Sequence, residues 1–294
     1  MPHQPVLLTE VLDFLDPSPG RVYLDATVGG GGHTEAILLR SSPDGKVLGL
    51  DRDQGALQKV AQRLERFGER CQLRRGSFAD VEQHLEAVSW RQVNGVIADL
   101  GLSSLQLDDP DRGFSFAHEG PLDMRFDQAY ETTAADLVNR LREKELADLI
   151  FHYGEERRSR AIARRIVSRR PLATTADLRR AIHSVTGPRR GRGIDPATRT
   201  FQALRIAVNQ EMDALASLLS RAGMCLKPGG RLVVISYHSL EDREVKLAFR
   251  GHAKTAGESE FRILTPKPIR PTREEIQDNR RARSARLRAL ERVG

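Results

Sequence analysis

Two hydrophobic rhythms alternate over the first hundred residues. Short, mostly apolar runs at Arg21–Asp25 and Lys46–Asp51, near Cys71 to Arg74, and at Val93–Asp99 read as buried strands. Between them apolar residues return at helical spacing. Examples are His33-Thr-Glu-Ala-Ile-Leu-Leu-Arg40, then Leu57, Val60, Ala61 and Leu64 within Asp53–Phe67, and a helix near Ala79–Val88. Pro43-Asp-Gly45 supplies a turn. Strands that alternate with helices and are apolar on both faces predict a parallel sheet covered on both sides.

The alternation stops after Asp99. Leu100–Phe126 is irregular and rich in Gly, Asp and Ser, and helical patterns then run without a strand as far as Gly229. Thr133-Ala-Ala-Asp136 and Thr174-Thr-Ala-Asp177 resemble capping boxes, and Asp195-Pro196 offers a cap followed by a first-position proline. Phe201, Leu204, Val208, Met212, Leu215 and Leu219 keep one helical phase up to Gly223, and Pro228–Ser236 restores a turn and a fifth strand. Phe261–Leu264 is a further strand, whereas Ala285–Arg292 fits strand or helix. The expected organisation is an α/β domain of residues 1–107 and 208–294, interrupted by a helical insertion over 108–207.

Charge sharpens that division. Arg157–Arg205 holds 14 arginines against Asp177 and Asp195, and Arg262–Arg292 holds 10 basic against 4 acidic residues, yet the 294-residue chain carries only +7. An acidic body therefore bears two concentrated basic segments. Arginine's planar fork suits phosphate oxygens, so the segments point to a nucleic-acid face. Cys71 and Cys225 stand alone, which argues against disulfides and zinc, and the eight histidines are scattered, so no metal is expected. No run approaches the ~20 apolar residues of a membrane span, and Glu10, Asp13 and Asp16 do not make a signal peptide. A cytoplasmic protein is expected.

The chemistry is concentrated at strand ends. The first strand runs into Asp25-Ala-Thr-Val-Gly-Gly-Gly-Gly-His33, where glycines let backbone N–H groups approach a ligand. Asp51, at the tip of the next strand, is placed to accept both hydroxyls of a ribose. Nicotinamide and S-adenosylmethionine enzymes share both features. The dinucleotide spacing fails in either register, because Gly29 and Gly31 are followed by Thr34, and Gly30 and Gly32 by Glu35. A phosphate-binding loop also fails at Gly45-Lys46-Val47. Asp99 ends the fourth strand, where parallel sheets bind ligands, Phe78 is a core residue or an adenine wall, and His33 can serve the helix start. A silent RNA-binding module would leave the loop unexplained; a small-molecule methyltransferase or NAD enzyme would leave the arginines idle.

Several strings resemble the bacterial 16S ribosomal RNA cytosine-N4 methyltransferases. They include Asp25-x-Thr-x-Gly-x-Gly-Gly-His33, Asp99-Leu-Gly-Leu-Ser-Ser-x-Gln106-Leu-Asp-Asp109, Gly120-Pro-Leu-Asp-Met-Arg125, Tyr153-Gly-Glu-Glu-Arg157 and Ser236-Tyr-His-Ser-Leu-Glu-Asp-Arg243. The resemblance spans nearly the whole chain. It implies a class I (Rossmann-like) methyltransferase fold with a mostly parallel seven-stranded sheet and an inserted, substrate-recognising helical domain. It further implies methylation of one cytidine in the decoding centre. The expected partner is 16S rRNA within the small subunit, and monomer and homodimer both stay open. Carried across, the family's S-adenosylmethionine contacts are Gly31, Gly32, His33, Asp51, Phe78, Asp99 and Gln106. The Asp/Asn-Pro-Pro-aromatic signature of many amino-group methyltransferases is replaced here by Asp99-Leu-Gly-Leu102, so their catalytic arrangement does not transfer. Asp99, His238 and Asp242 are the expected catalytic residues, and neither cysteine is needed. Phe114 and Phe116 are candidate platforms for a flipped base.

Overall fold

The apolar runs form strands β1 (Val22–Asp25), β2 (Lys46–Asp51), β3 (Cys71–Arg75), β4 (Val93–Asp99), β5 (Leu226–Ser236), β6 (Phe261–Ile263) and β7 (Arg286–Arg292) of one sheet, ordered β3-β2-β1-β4-β5-β7-β6. β1 to β5 pair in parallel, and β7 runs antiparallel between β5 and β6. The ambiguous C-terminal segment is thus a strand, with Leu287, Ala289 and Leu290 fully buried. The structure is a computed structural model that describes residues 5–188, 194–253 and 260–294.

Helices α1 (Leu8–Leu15), α2 (Gly32–Arg40), α3 (Gln54–Leu64) and α4 (Val81–Glu86) precede the insertion. The insertion carries α5 (Ser104–Asp108), α6 (Ala134–Arg140), α7 (Glu143–Gly154), α8 (Ser159–Val167), α9 (Thr175–Thr186) and α10 (Ala197–Asn209). The sheet domain resumes with α11 (Glu211–Cys225), α12 (Ser239–His252) and α13 (Arg273–Asp278). Two-sided burial explains the unbroken apolar strands. Leu24, Leu48, Val96 and Val234 pack on one face with Leu215, Leu219, Val245 and Phe249, while Tyr23, Val47, Ile97 and Val233 pack on the other with Val11, Leu15, Ile37 and Leu38. Strand order reverses between β1 and β4, and such a switch point opens a crevice at the strands' carboxyl ends.

The chain divides into Met1–Ser103 with Met212–Gly294, and Ser104–Glu211. The second unit is wider than the 108–207 read from pattern, because α5 begins it and a backbone break closes it. That break lies at Gln210, whose φ of 51° splits the expected continuous helix into α10 and α11. Within this unit Leu146, Ile150, Ile162, Ile166, Leu178, Ile182 and Leu204 form a buried core. Both Thr–Asp capping boxes form, at Thr133/Asp136 and Thr174/Asp177. Asp195 accepts a hydrogen bond from the Ala197 N–H at 2.9 Å, so α10 begins one residue later than the proline signal suggests. Of the arginine-rich segment, Arg189, Arg190 and Arg192 lie outside the described residues.

Candidate functional site

Three neighbouring strands, β2, β1 and β4, end in Asp51, Asp25 and Asp99. The three carboxylates do different work. Asp25 is 1% exposed and internally satisfied, with Thr34 Oγ1 donating at 2.6 Å and the Thr27 N–H at 3.1 Å. Burial raises its pKa, and its partners make it a brace for the turn. Thr27 also ties β1 to β4, its hydroxyl accepting from the Asp99 N–H at 2.6 Å.

The glycine loop descends from this edge into α2. Gly31 has φ 78°, and a Cβ there would lie 2.8 Å from Val60; one on Gly32 would lie 2.3 Å from Pro5. Close packing from below thus requires glycine at both positions. A Cβ on Gly30, by contrast, would meet nothing within 4 Å. No side chain caps α2, which leaves its first N–H groups without a side-chain acceptor, as at sites for electron-rich ligands. Asp51 accepts the Gly29 N–H at 2.8 Å on one oxygen and the Asp53 N–H at 2.9 Å on the other. Burial still lifts its pKa to about 6. Each oxygen retains a lone pair beyond those two bonds.

Asp99 is the exception to this internal satisfaction. Its Oδ1 is buried and has no hydrogen-bond partner. His33 Nδ1 stands 3.8 Å from the other oxygen, Oδ2, while His33 Nε2 lies 3.0 Å from the Val6 carbonyl. That carbonyl needs a donor, so His33 Nε2 carries a proton. The Tyr237 phenol also faces Asp99. Burial first, then the charge of Asp99 and a hydrogen bond towards its carboxylate, hold the phenolic proton on. The Tyr237 ring lies over Gly101, where a Cβ would come within 2.6 Å of it.

The other expected catalytic residues are otherwise engaged. His238 caps α12, its Nδ1 accepting from the Glu241 N–H at 3.3 Å, and its Nε2 sits 3.0 Å from Glu241 Oε1 without hydrogen-bond geometry. Asp242 is held by Arg288 Nε at 2.7 Å and Arg286 at 3.1 Å, both on β7, and these arginines lower its pKa against the opposing effect of burial. Phe78, in a single turn after β3, is half-buried against the core. Gln106 belongs to the second unit, buried on α5. Phe114 and Phe116 do not form a free platform. Phe114 is 7% exposed and stacks on Phe126 at 5.4 Å, and Phe116 meets Phe201 edge-on at 4.8 Å. Both cysteines are free thiols whose pKa burial raises to about 11, so neither is poised as a nucleophile. Among the described residues no cluster is arranged to hold a metal, and no helix is long and apolar enough to cross a membrane.

The profile of the MraW methylase family matches residues 1–293. The chain belongs to that family. It is 52% identical to a ribosomal RNA small subunit methyltransferase H of Sorangium cellulosum, over 99% of this chain and 91% of that one. A protein of the same name from Cyanothece sp. is 51% identical over 99% and 95% of the two chains, and one from Thermomicrobium roseum 49% identical over 99% and 94%. The methyl donor of this MraW methylase is S-adenosylmethionine, which sets the nicotinamide alternative aside.

The donor fits the residues present. The open side of Gly30, the uncapped start of α2 and the spare lone pairs of Asp51 match a nucleoside with two ribose hydroxyls. The unpartnered Asp99 oxygen provides an acceptor beside that cradle. Tyr237 is the site residue that pattern reading missed. Its signal was present as an aromatic directly beyond β5, the strand that pairs with β4 at Asp99.

Proposed function

We propose that this methylase transfers a methyl group to the exocyclic N4 amine of one cytidine in the decoding centre of 16S ribosomal RNA. The names of its relatives support the ribosomal substrate, and the unpartnered buried Oδ1 of Asp99 carries the reading at the site. S-adenosylmethionine, when bound, supplies a methyl on a positively charged sulfur. Gly31, Gly32 and the α2 N-terminus would cradle it, Asp51 would accept its ribose hydroxyls, and Phe78 would lie against its adenine.

The cytosine amine is a weak nucleophile because its lone pair is delocalised into the ring. An acceptor that takes one of its N–H groups turns the nitrogen and draws electron density towards it. The partly exposed Asp99 carboxylate, one oxygen of which lacks a partner, is that acceptor and the first station for the proton that leaves. The Tyr237 phenol, which faces the carboxylate, holds it in place. His238 and Asp242 act as supports, fixing the start of α12 and its hold on β7. The arginine-rich unit grips phosphates, which orients the RNA without reading its bases. The protein works in the cytoplasm, on RNA of the small subunit.

The test is nucleoside analysis after methyl transfer to naked 16S RNA and to assembled small subunits. N4-methylcytidine at a single position is expected. A methyl on ring carbon, on ribose or on another base would overturn the reading.

A further inference from the structure

The arginines of the second unit fall into two groups. One group is internally engaged. Arg170 donates to the Val138 and Leu141 carbonyls, Arg179 pairs with Asp195 at 2.9 Å, Arg180 with Asp177 at 2.6 Å, and Arg205 with Glu211 at 2.8 Å. The other group is Arg157, Arg160, Arg165 and Arg169, which have no hydrogen-bond or ion-pair partner for their side chains among the described residues. All four lie on α8 or its two flanks, and all but half-buried Arg165 are exposed.

Helix orientation keeps them off the core side, with Arg160 and Arg165 on the two flanks of the exposed side of α8. Ile162, Ala163 and Ile166 are fully buried in the unit's core, which turns the opposite side of α8 to solvent. That exposed side breaks local rules. The first turn of α8 holds Arg160 and no acidic residue, so its positive charge sits near the positive end of the helix dipole, where the carboxylate at hand is Glu156, accepting the Arg158 N–H at 2.8 Å. Arg160 and Arg164 stand one turn apart as like charges, with only Glu143, 3.4 Å from Arg164, to offset them. Arg165, in the last turn, suits the dipole, but Arg160 gains nothing from internal packing, and a locally unfavourable choice of this kind marks a functional surface.

We infer that Arg157, Arg160, Arg165 and Arg169 form a phosphate-gripping ridge along α8 that binds the backbone of the RNA substrate. This deepens the proposed function and rests on it. The side chains are all arginine, whose planar fork donates two parallel hydrogen bonds to phosphate. No large exposed apolar residue accompanies them on α8, unlike a membrane-binding helix. The paired arginines serve the unit's own structure.

The salt dependence of binding tests this. Affinity of the whole protein for 16S ribosomal RNA is measured over a potassium chloride series, alongside methyl transfer by the wild type. Each lost phosphate contact should flatten the slope of log affinity against log salt by roughly 0.7–0.9, so Gln at all four positions should lower it by about 3. Lys at the same four positions should preserve the slope, and so should Arg180→Gln, which removes an engaged arginine. Arg157→Gln with Arg169→Gln, both outside α8 proper, should lower it by about 1.5 even if the fourfold variant folds poorly. An unchanged slope in the folded Gln variants would overturn the ridge. So would an equal loss in Arg180→Gln, or a loss confined to Arg280→Gln and Arg283→Gln in the other unit. If the wild type itself fails to methylate the RNA, the underlying functional reading falls instead.

Discussion

Asp51→Ala should weaken S-adenosylmethionine binding about a hundredfold while leaving the protein folded. The carboxylate already accepts the Gly29 and Asp53 N–H groups, so its remaining lone pairs are oriented before any ligand arrives. Hydrogen bonds to a charged acceptor contribute about 1.5–3 kcal/mol each, and two ribose hydroxyls would set a ceiling of about 6 kcal/mol. Asp51 is only partly shielded from solvent, and water replaces some of the loss, so about 3 kcal/mol is expected, roughly a hundredfold in Kd. Titration calorimetry with S-adenosylmethionine, with a thermal melt to verify folding, measures this. The raised pKa of Asp51, about 6, adds a second signature. Wild-type affinity should decline as pH falls through about 6, when the acceptor becomes protonated, and Asp51→Ala should show no such decline. The sign is opposite for stability of the unliganded protein. A raised folded pKa favours folding when the group is protonated, so that contribution is present below 3.8 and is lost as pH rises through about 6. A Kd within threefold of wild type, in a folded variant with unchanged pH dependence, would refute Asp51 as the ribose acceptor.

Other expectations follow from the same geometry. Tyr237→Phe removes the phenol facing Asp99 and should lower kcat several-fold with little change in cofactor affinity; it should also alter the acid limb of the kcat–pH profile. Gly31→Ala places a Cβ 2.8 Å from Val60 at φ 78°, and should destabilise the fold by about 1–3 kcal/mol in a denaturant melt. Asp242→Asn leaves buried Arg288 without its carboxylate, and should cost about 3 kcal/mol of stability while sparing turnover of the folded fraction. Because the folded pKa of Asp242 is lowered, its wild-type contribution is present above 3.8 and is lost as pH falls through the folded value; the variant's melting curve should lack that acid dependence.

Much of the sheet domain was legible because its signals are local. β2 and β4 end where the apolar runs end, at Asp51 and Asp99, since parallel strands buried on both faces leave no other residue type to interpret. The two Thr–Asp capping boxes were equally plain, their partners being three residues apart. The Gln210 break was hidden because the left-handed residue is not glycine and the apolar phase runs on from Val208 to Met212. The fates of Asp242 and His238 were hidden for different reasons. The arginines that hold Asp242 lie 44 and 46 residues further along the chain, and no local pattern reports such a pair. His238 looked like a pocket residue because it follows a strand end, although a histidine three residues before a glutamate also caps a helix. Phe114 and Phe116 drew notice as rare aromatics in a polar loop, but Phe126 and Phe201 cover them.

Everything at the site depends on the Asp99 carboxylate, one oxygen of which lacks a partner, receiving the amine of the target base. Single-turnover methyl transfer by Asp99→Ala, at saturating S-adenosylmethionine with its Kd measured separately, tests it most directly. A loss in rate of about 10²–10⁴-fold with the RNA still bound is expected, the range for removing a positioned acid–base group. Full turnover with unchanged cofactor affinity would contradict it.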